Sequence, residues 1–335
     1  MKTEFSPTRL LVTGGAGFIG SCFIRHMLAK HSSLFIVNVD LLTYAGNIEN
    51  LSDITHDQRY KFVQGDICDQ ALLRSVLEKH EIDTIVHFAA ESHVDRSILK
   101  PESFVKTNVL GTFSLLEAAR EYWLNHKGWD AKSCRFHHIS TDEVYGSLQA
   151  SDPAFLETTP YAPNSPYSAS KAGSDHLVRA YFHTYGLPVT TSNCSNNYGP
   201  YQHQEKLIPT VIRSCKEEKS IPIYGNGSNI RDWLYVYDHC EAIDVILHNG
   251  RLGEVYNIGG DSELNNLELV KLICQQYDAL FKPVKPSASL IQFVTDRAGH
   301  DWRYAINHNK ITRELNWAPK MILSKGLLET IRFYL

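Results

Sequence analysis

A glycine-rich turn near the amino terminus constrains the fold of this 335-residue chain more than any other feature. Gly14, Gly17 and Gly20 separate an apolar run at residues 9–13 from a helical pattern at residues 19–30. Glycines at these places permit a tight turn, let a pyrophosphate approach main-chain N–H groups, and let the helix pack closely on a sheet. The strand, turn and helix together predict a dinucleotide site at the turn.

An acidic residue at the end of the second apolar run narrows the choice of dinucleotide. Asp40 lies twenty residues after Gly20, where a carboxylate accepts hydrogen bonds from the adenosine ribose 2′-OH. A 2′-phosphate would meet a like charge there, so Asp40 favours NAD over NADP. We therefore expect NAD as the cofactor.

Apolar runs alternate with helical patterns in the first half of the chain, which is typical of βαβ units and a parallel sheet. The predicted strands are residues 9–13, 35–39, 60–64, 84–88 and 136–140, and the predicted helices are residues 19–30, 70–80, 103–123 and 168–185. The predicted fold class is α/β, a Rossmann-type doubly wound parallel sheet with a smaller C-terminal substrate-binding domain.

The predicted domain boundary is not a single linker. We expect an NAD-binding Rossmann domain over residues 1–188, to which segments near 189–197 and 228–258 return. The remaining residues, 198–227 and 259–335, would form the substrate-binding domain. The segments at 189–194, 234–247 and 254–258 are expected to rejoin the sheet.

Composition argues against several other classes of protein. A net charge of −4 disfavours a general nucleic-acid or membrane-surface binder, because such proteins use a basic excess to neutralise phosphates. Seven scattered cysteines without a C-x-x-C pair indicate reduced thiols, and no window approaches the roughly 18 apolar residues of a membrane span. We expect a cytoplasmic protein with no nucleic-acid or membrane partner. The sixteen histidines form no H-E-x-x-H motif, so no metal site is predicted.

Tyr167 and Lys171 form a Y-x-x-x-K pair whose members share one face of a helix. Pro163 and Pro166, just before them, predict the start of that helix. An ammonium beside a phenol lowers the pKa of the phenol, so a phenolate can take the proton of an alcohol while hydride leaves the same carbon. The pair therefore predicts oxidation of an alcohol.

Two adjacent carboxylic acids, Asp142 and Glu143, follow the strand predicted at 136–140. Ligands of α/β folds bind at the carboxyl ends of such strands, so these acids should face the cofactor. Oxidation alone does not need them, whereas removal of water needs a base and an acid, which two carboxyl groups supply. We predict Asp142, Glu143, Tyr167 and Lys171 as catalytic residues.

The order Thr141-Asp142-Glu143, then Tyr167-x-x-x-Lys171, resembles the dTDP-glucose 4,6-dehydratase family of the extended short-chain dehydrogenases. The glycine spacing G-x-x-G-x-x-G is typical of that larger group. The resemblance extends over essentially the whole chain, through LTYAGN at 42–47, AAESHVDRS at 89–97, NCSNNYGP at 193–200, IRDW at 230–233 and DRAGHD at 296–301.

The resemblance implies which residues hold the ligands. In addition to the glycines and Asp40, the implied cofactor-binding residues are Phe18, Ile19, Leu42, Thr43, Asp66, Ile67, Ala89, Ala90, Ser92, Thr107, Tyr167, Lys171 and Asn197. The implied substrate-binding residues are Ser92, Thr141 and Asn196 at the hexose, Arg231 and Arg297 at the diphosphate, and Lys206, Leu207, Pro222, Tyr224, Asn266 and His300 in the rest of the site.

The resemblance also implies the reaction of a nucleotide-linked glucose. Tyr167, aided by Lys171 and Thr141, would deprotonate the 4-hydroxyl while C4 gives hydride to NAD. Glu143 would then remove the C5 proton and Asp142 would protonate the C6 hydroxyl, so that water leaves. Return of hydride to C6, as C5 is reprotonated, gives the 4-keto-6-deoxy sugar nucleotide.

Several alternatives remain at this level. Residues 202–204 read Gln-His-Gln where bacterial members usually have His-Phe-Pro, beside the expected base-binding segment, so thymine and uracil both stay open and a UDP-glucose 4,6-dehydratase is the main alternative. Nucleotide-sugar 4-epimerases and decarboxylases share the Tyr–Lys pair, but Asp142 and Glu143 argue against both. Intact Tyr167 and Lys171 argue against a catalytically silent NAD-binding regulator.

The family further implies a homodimer. The helices predicted at 103–123 and 168–185 carry apolar residues on more than one face. In this family the equivalent pair packs against its copy as a four-helix bundle.

Overall fold

The computed structural model describes residues 5–335. Within this range the strands are β1 (Arg9–Thr13), β2 (Phe35–Asp40), β3 (Tyr60–Gln64), β4 (Thr84–His87), β5 (Arg135–Thr141), β6 (Val189–Cys194), β7 (Asn196–Tyr198), β8 (Ile221–Tyr224), β9 (Ile230–Tyr235), β10 (Val255–Ile258), β11 (Glu263–Asn265) and β12 (Ile291–Val294).

The α-helices of the same range are α1 (Phe18–Lys30), α2 (Gln70–His80), α3 (Val94–Leu99), α4 (Pro101–Phe104), α5 (Thr112–Ala119), α6 (Pro166–Tyr185), α7 (Leu207–Glu217), α8 (Val236–Asn249), α9 (Asn266–Phe281), α10 (Asn309–Leu315) and α11 (Leu323–Phe333). Short 3₁₀ helices cover Ile48–Ile54, Asp142–Tyr145 and Ser287–Leu290, and π-helical segments cover Val105–Gly111 and Arg120–His126. No helix in the described part of the chain is long and apolar enough to cross a membrane.

The central sheet is parallel and has seven strands in the order β3–β2–β1–β4–β5–β6–β10. The first six follow the doubly wound dinucleotide-binding order, and β10 adds one strand at the edge. The middle of β1 is fully buried because helices cover both faces of the sheet. The α/β fold class is confirmed, as are all five strands predicted in the first half of the chain, with β5 one residue longer at each end than predicted.

Two hydrophobic cores hold the helices on the sheet. On one face, apolar residues of α2, α5 and α6 pack against the strands, and Trp123 is fully buried among them. On the other face, α1 and α8 pack together through residues such as Phe23, Met27 and Ile243. This layering leaves the carboxyl ends of the strands open at one edge, where ligands of such folds bind.

The predicted returns to the sheet are confirmed for two segments and wrong for the third. β6 and β10 pair with each other and extend the large sheet. Residues 234–247 add no strand to it: they end β9 and continue as α8, which covers the face of the sheet beside α1. Their apolar run fits a buried helix as well as a strand, which periodicity alone cannot distinguish.

The helix predicted at 103–123 is longer than predicted. Helical structure runs from Pro101 to His126, and α5 lies between its two π-helical segments. A π-helical turn contains an extra residue, so it rotates the side chains that follow relative to those before it.

The smaller part of the molecule packs α7, α9 and α11 around a third hydrophobic core. Its sheets are short: β9 pairs with β11 and β7, and β12 pairs with β8. β7 follows β6 directly in the chain, which places this part beside the open edge of the large sheet. The proposed domain boundaries themselves stay a prediction.

Candidate active site

Nearly all the predicted site residues line one cavity of about 620 Å³ at the carboxyl edge of the large sheet. It extends from the glycine turn after β1, past the end of β5, to β8 and the start of α9. Leu42 is the exception, because its side chain does not line the cavity. It adopts a left-handed conformation with φ 58°, and its N–H donates to Asp40 Oδ1 at 2.8 Å, so it holds the acidic residue in place.

The turn after β1 depends on its glycines. Gly14 has φ +71°, and a Cβ there would lie 2.6 Å from the main-chain N of Ala89. A Cβ on Gly20 would lie 2.4 Å from the carbonyl oxygen of Gly14, so only glycine lets α1 approach the turn this closely. No side chain caps the amino end of α1 at Gly17. The first N–H groups of the helix are therefore available to an anion such as a pyrophosphate.

Asp40 is buried at the end of β2 and accepts hydrogen bonds from the N–H groups of Ala16 (2.9 Å) and Leu42 (2.8 Å). Burial raises the pKa of its carboxyl group, and the two hydrogen bonds oppose that rise. Together with the glycine cradle and the uncapped helix, this arrangement fits NAD, because a carboxylate accepts from a 2′-OH and repels a 2′-phosphate.

The remaining predicted cofactor residues surround this cradle. They line the cavity from the segments after β2, β3 and β4, from the first π-helical segment and from β7: Thr43, Asp66, Ile67, Ala89, Ala90, Ser92, Thr107 and Asn197. Asp66 accepts from the N–H of Cys68 at 2.9 Å, a turn contact that orients its carboxylate.

Tyr167 and Lys171 lie in the first turns of α6, as predicted. Ser165 and Ser168 form a reciprocal capping box, and Pro166 occupies the first helical turn, which fixes the start of the helix. Both site residues are buried, and Lys171 Nζ donates to the carbonyl oxygen of Ile139 at 2.7 Å.

The pKa of Tyr167 is shifted in the direction opposite to the one that the sequence predicts. We expected the ammonium of Lys171 to lower it, but burial and the nearby Glu143 carboxylate raise it well above its usual value. The Thr141 hydroxyl acts in the opposite direction. The cause is the depth of the site, since a phenolate loses more hydration energy there than a surface tyrosine would.

The paired acids begin a 3₁₀ helix immediately after β5. Thr141 caps it, its hydroxyl accepting from the N–H of Glu143 at 3.3 Å. Asp142 is buried and its Oδ2 has no hydrogen-bond partner among residues 5–335, while Glu143 is partly exposed to the cavity. Burial raises the pKa of both; Glu143 and Asp232 raise that of Asp142 further, whereas Arg297 and Arg231 counteract the rise at Glu143.

Cationic side chains converge on the opposite wall. Arg231 is buried, donates to the carbonyl oxygens of Ile230 (2.7 Å) and Asp301 (3.0 Å), and lies over the ring of Tyr304. Lys206 Nζ donates to the carbonyl oxygen of Ser92 at 3.1 Å. These contacts fix two positive groups inside a cavity of a protein whose net charge is negative, which suits an anionic ligand.

Arg297 and His300 come from the segment after β12. Arg297 is 3.9 Å from Asp95, and its buried Nε has no hydrogen-bond partner within the described residues. The imidazole of His300 contacts Asp296 at 2.6 Å and meets the ring of Tyr224 edge-on. The other predicted residues of this region, Leu207, Pro222 and Asn266, line the same part of the cavity.

Sequence reasoning missed two groups near the predicted hexose position. In the described part of the chain, Ser195 Oγ and Trp233 Nε1 are buried without a hydrogen-bond partner of good geometry, like Asn196 Oδ1, and all three residues line the cavity. Buried polar atoms without partners are uncommon and suit the hydroxyl groups of a ligand. Ser195 lies in NCSNNYGP and Trp233 in IRDW, two motifs that carry the family resemblance. These motifs were the only sequence signal that could have identified the two residues.

The divergent residues 202–204 lie next to the cofactor half of the cavity. The ring of His203 meets that of Tyr44 edge-on at 5.5 Å, and Arg96 lies over the same ring while it pairs with Glu205 at 2.8 Å. Tyr44 follows Leu42 and Thr43, which the resemblance implies are cofactor-binding residues. The difference from the family pattern at residue 203 is therefore weaker evidence about the substrate base, thymine or uracil, than the sequence analysis assumes.

Comparison with known proteins agrees with this geometry. A family model described as GDP-mannose 4,6 dehydratase matches residues 11–330. The dTDP-glucose 4,6-dehydratase of Shigella flexneri is 52% identical over 98% of this chain and 92% of its own length. The dTDP-glucose 4,6-dehydratase of Bacillus anthracis, solved in complex with NAD, superposes with a TM-score of 0.86 at 47% identity, covering 98% of this chain and 96% of that one.

A second solved relative, the dTDP-glucose 4,6-dehydratase of Streptomyces venezuelae with NAD bound, has a TM-score of 0.90 at 46% identity, covering 97% of this chain and 96% of that one. The likeness spans the sheet, the cavity and the smaller part alike. The chain belongs to the dTDP-glucose 4,6-dehydratase family of nucleotide-sugar dehydratases.

Proposed function

We propose that this protein is an NAD-dependent dTDP-glucose 4,6-dehydratase, which converts dTDP-glucose into the 4-keto-6-deoxy sugar nucleotide and water. The observation that carries the proposal is the juxtaposition of two kinds of chemistry in one cavity: Tyr167 and Lys171 from α6, and the acids Asp142 and Glu143 from the end of β5. The first pair suits oxidation of an alcohol, and the second suits removal of water.

NAD would be held by the glycine turn after β1 and by Asp40, and when bound it would supply the hydride acceptor for C4 and the hydride donor for C6. The chain itself moves the protons. Tyr167 takes the proton of the 4-hydroxyl. The charge of Lys171 favours the phenolate against the burial that raises the pKa of Tyr167, and Thr141 holds the 4-oxygen of the sugar. Glu143 removes the C5 proton, and Asp142 gives a proton to the C6 hydroxyl, which leaves as water. C5 is protonated again as C6 receives hydride.

The substrate is held by groups of matching charge. Arg231 and Arg297 bind the diphosphate, because a guanidinium forms paired hydrogen bonds to phosphate oxygens. Ser92, Thr141 and Asn196 bind the hexose, and we add Ser195 and Trp233, whose buried polar atoms need partners. Lys206, Leu207, Pro222, Tyr224, Asn266 and His300 hold the remainder of the nucleotide.

The test is the product formed from two nucleotides. Purified protein incubated with dTDP-glucose should give a 4-keto product, seen by its absorbance in alkali, and UDP-glucose should give much less. Preference for UDP-glucose would replace the thymine assignment with the uracil alternative. A 4-epimer or a pentose product would instead indicate an epimerase or decarboxylase, which do not need both acids at 142 and 143.

We further propose a homodimer joined through the helical stretch from Pro101 to His126 and α6 as a four-helix bundle. In support, Val105 is 56% exposed and Leu110 48% exposed although both are apolar, and Leu99 just before them is 80% exposed. Apolar side chains exposed together along a helix commonly mark a protein interface.

We propose a cytoplasmic location as well. All seven cysteines are free thiols, and six of them are buried, an arrangement suited to a reducing compartment. Detection of the protein in the membrane or extracellular fraction after cell fractionation would contradict this location.

A further inference from the structure

Lys171 is a buried cation without a direct ion pair. Its Nζ donates to the carbonyl oxygen of Ile139 at 2.7 Å, and no carboxylate in the described part of the chain lies within 4 Å of it. An ammonium taken out of water in this way is costly unless an opposite charge lies near. The proposed oxidation needs Lys171 as an ammonium, so some other group must keep this lysine charged.

Asp175 lies one helical turn beyond Lys171, on the same face of α6. It is buried, and its carboxylate accepts hydrogen bonds from Ser140 Oγ (2.7 Å) and the Tyr161 hydroxyl (3.0 Å) and contacts His138 Nε2 (3.0 Å). None of the described residues that contact it carries a permanent charge, and the charge of Lys171 is among the effects that lower its pKa.

His138 connects the two charges. Its Nε2 is 3.0 Å from Asp175 Oδ1 and 3.5 Å from Lys171 Nζ. The imidazole is fully buried, and its pKa falls to about 4 mainly through burial, so it is neutral. The neutral ring donates its Nε2 proton to the carboxylate and so fixes Asp175 near the lysine. It adds no positive charge that would repel Lys171.

The electrostatics agree with this geometry. Burial lowers the pKa of Lys171, and the charge of Asp175 is the largest effect that opposes the fall. Burial also works to raise the pKa of Asp175, but the hydrogen bond from His138 and the charge of Lys171 outweigh it, so the acid stays ionised. The other titratable groups around Lys171, from α6, β4 and β6, are Tyr167, His87 and Cys194.

We propose that Asp175 is a positioning residue for the Tyr167–Lys171 pair: its buried carboxylate is the countercharge that keeps Lys171 an ammonium beside Tyr167, and His138 holds that carboxylate in place. The inference rests on the proposed function. Asp175 touches neither the cavity nor any reacting atom, so it acts only through Lys171.

The test compares Asp175→Asn with the parent. Loss of the countercharge lets Lys171 lose its proton earlier, so the alkaline limb of the kcat/KM profile moves down by about one pH unit or more. Asp175→Glu, which keeps the charge, should restore most of the parental profile. Asp83→Asn is the matched control: Asp83 is also a buried, hydrogen-bonded aspartate, but it lies at the other end of the sheet, beside Thr8, and its variant should keep the alkaline limb.

A second measurement does not depend on turnover. Lysine labelled with ¹³C at Cε, with the Lys171 signal identified by its loss in Lys171→Met, reports the titration of this one ammonium by NMR. The signal should titrate at lower pH in Asp175→Asn, and also in Asp175→Ser should the asparagine variant not fold. An unchanged Lys171 titration would overturn the proposal. A parent that shows the expected titration but makes no keto product would instead reject the proposed function alone.

Discussion

At the scale of single residues, two adjacent acids acquire different chemistry from their surroundings. Asp142 is buried, has an oxygen without a partner and faces the carboxyl groups of Glu143 and Asp232, so burial and like charges raise its pKa and keep its proton. Burial raises the pKa of Glu143 less, because Glu143 opens into the cavity and the charges of Arg297 and Arg231 counteract the rise. Environments that separate two carboxyl pKa values in this way assign one acid and one base.

The division between oxidation and elimination is testable by mutation. Asp142→Asn combined with Glu143→Gln keeps Tyr167 and Lys171, so dTDP-glucose should still reduce bound NAD. Water loss should slow by roughly 10²–10⁴, the usual contribution of positioned acid–base groups. Absorbance in the NADH band should therefore accumulate without 6-deoxy product, whereas Tyr167→Phe should give neither.

The matched control neutralises another adjacent acidic pair, Glu217→Gln with Glu218→Gln, at the exposed end of α7. It should dehydrate substrate at the parental rate. Dehydration at the parental rate by the Asp142–Glu143 variant would remove both acids from the elimination step. Failure of that variant to reduce NAD while folded would mean that the two steps share these groups.

Asp40 provides a second prediction at this scale. Asp40→Arg replaces an acceptor for the 2′-OH with a cation suited to a 2′-phosphate, so NAD should bind more weakly and NADP more tightly. The ratio of the two dissociation constants, measured by fluorescence titration, should move toward NADP by tenfold or more, which corresponds to about 1.4 kcal/mol. An unchanged ratio would show that Asp40 does not contact the ribose.

At the scale of helices and strands, a buried carboxylate joins α1 to α8. Asp244 on α8 is surrounded by donors from both helices: Lys30 at 2.6 Å, His31 at 2.9 Å, His248 at 3.1 Å and His26 at 3.3 Å. His31, Asp244 and His248 bring ligand-type atoms within 4.8 Å of one another. Their nitrogens point at a carboxylate that also binds an ammonium, so hydrogen bonding explains the cluster, and the absence of a metal site stays a prediction.

This cluster should make stability depend on pH. Burial opposes ionisation of Asp244, but its donors lower its pKa far below the usual value, so its contribution is present above about pH 4 and is lost only in strong acid. The hydrogen bond to Asp244 raises the pKa of His248, so its contribution is complete below about pH 6.5 and is lost as the pH rises through the higher folded-state value. Stability from this pair should therefore fall as the pH rises above about 6.5.

The variant Asp244→Asn tests this pH dependence of stability. Denaturant unfolding at pH 6 should show that the free energy of unfolding falls by about 3 kcal/mol, because Lys30 and the histidines around Asp244 lose the buried charge that they bind. The fall in unfolding free energy between pH 6 and pH 8 should become smaller. Asp53→Asn, which breaks the more exposed pair between α1 and Asp53, serves as the control and should change both values little. An equal pH dependence in Asp244→Asn would contradict the assignment.

At the scale of the whole molecule, the parts predicted well are those with local signals. The glycine turn, the apolar strands and the Pro166 helix start each depend on neighbouring residues, and the structure has them where the sequence indicated. The failures are non-local: the apolar run at 234–247 became a helix because α1 offered a partner face, and the pKa of Tyr167 depends on burial that sequence does not reveal. The contact between His203 and Tyr44 joins segments far apart in the chain, so no local pattern predicts it.

The exposed apolar stretch before α5 leads to a prediction about assembly. Light scattering at micromolar concentration should give twice the 38.0 kDa mass of the chain. Val105→Glu and Leu110→Glu should each shift the mass toward the monomer, because a carboxylate buried in an apolar interface without a partner costs about 3 kcal/mol or more, which weakens association at least a hundredfold. Val284→Glu is the control, since Val284 is a fully exposed apolar residue outside these helices. A monomeric parent would reject the dimer, and dimers that persist in both helix variants would move the interface elsewhere on the molecule.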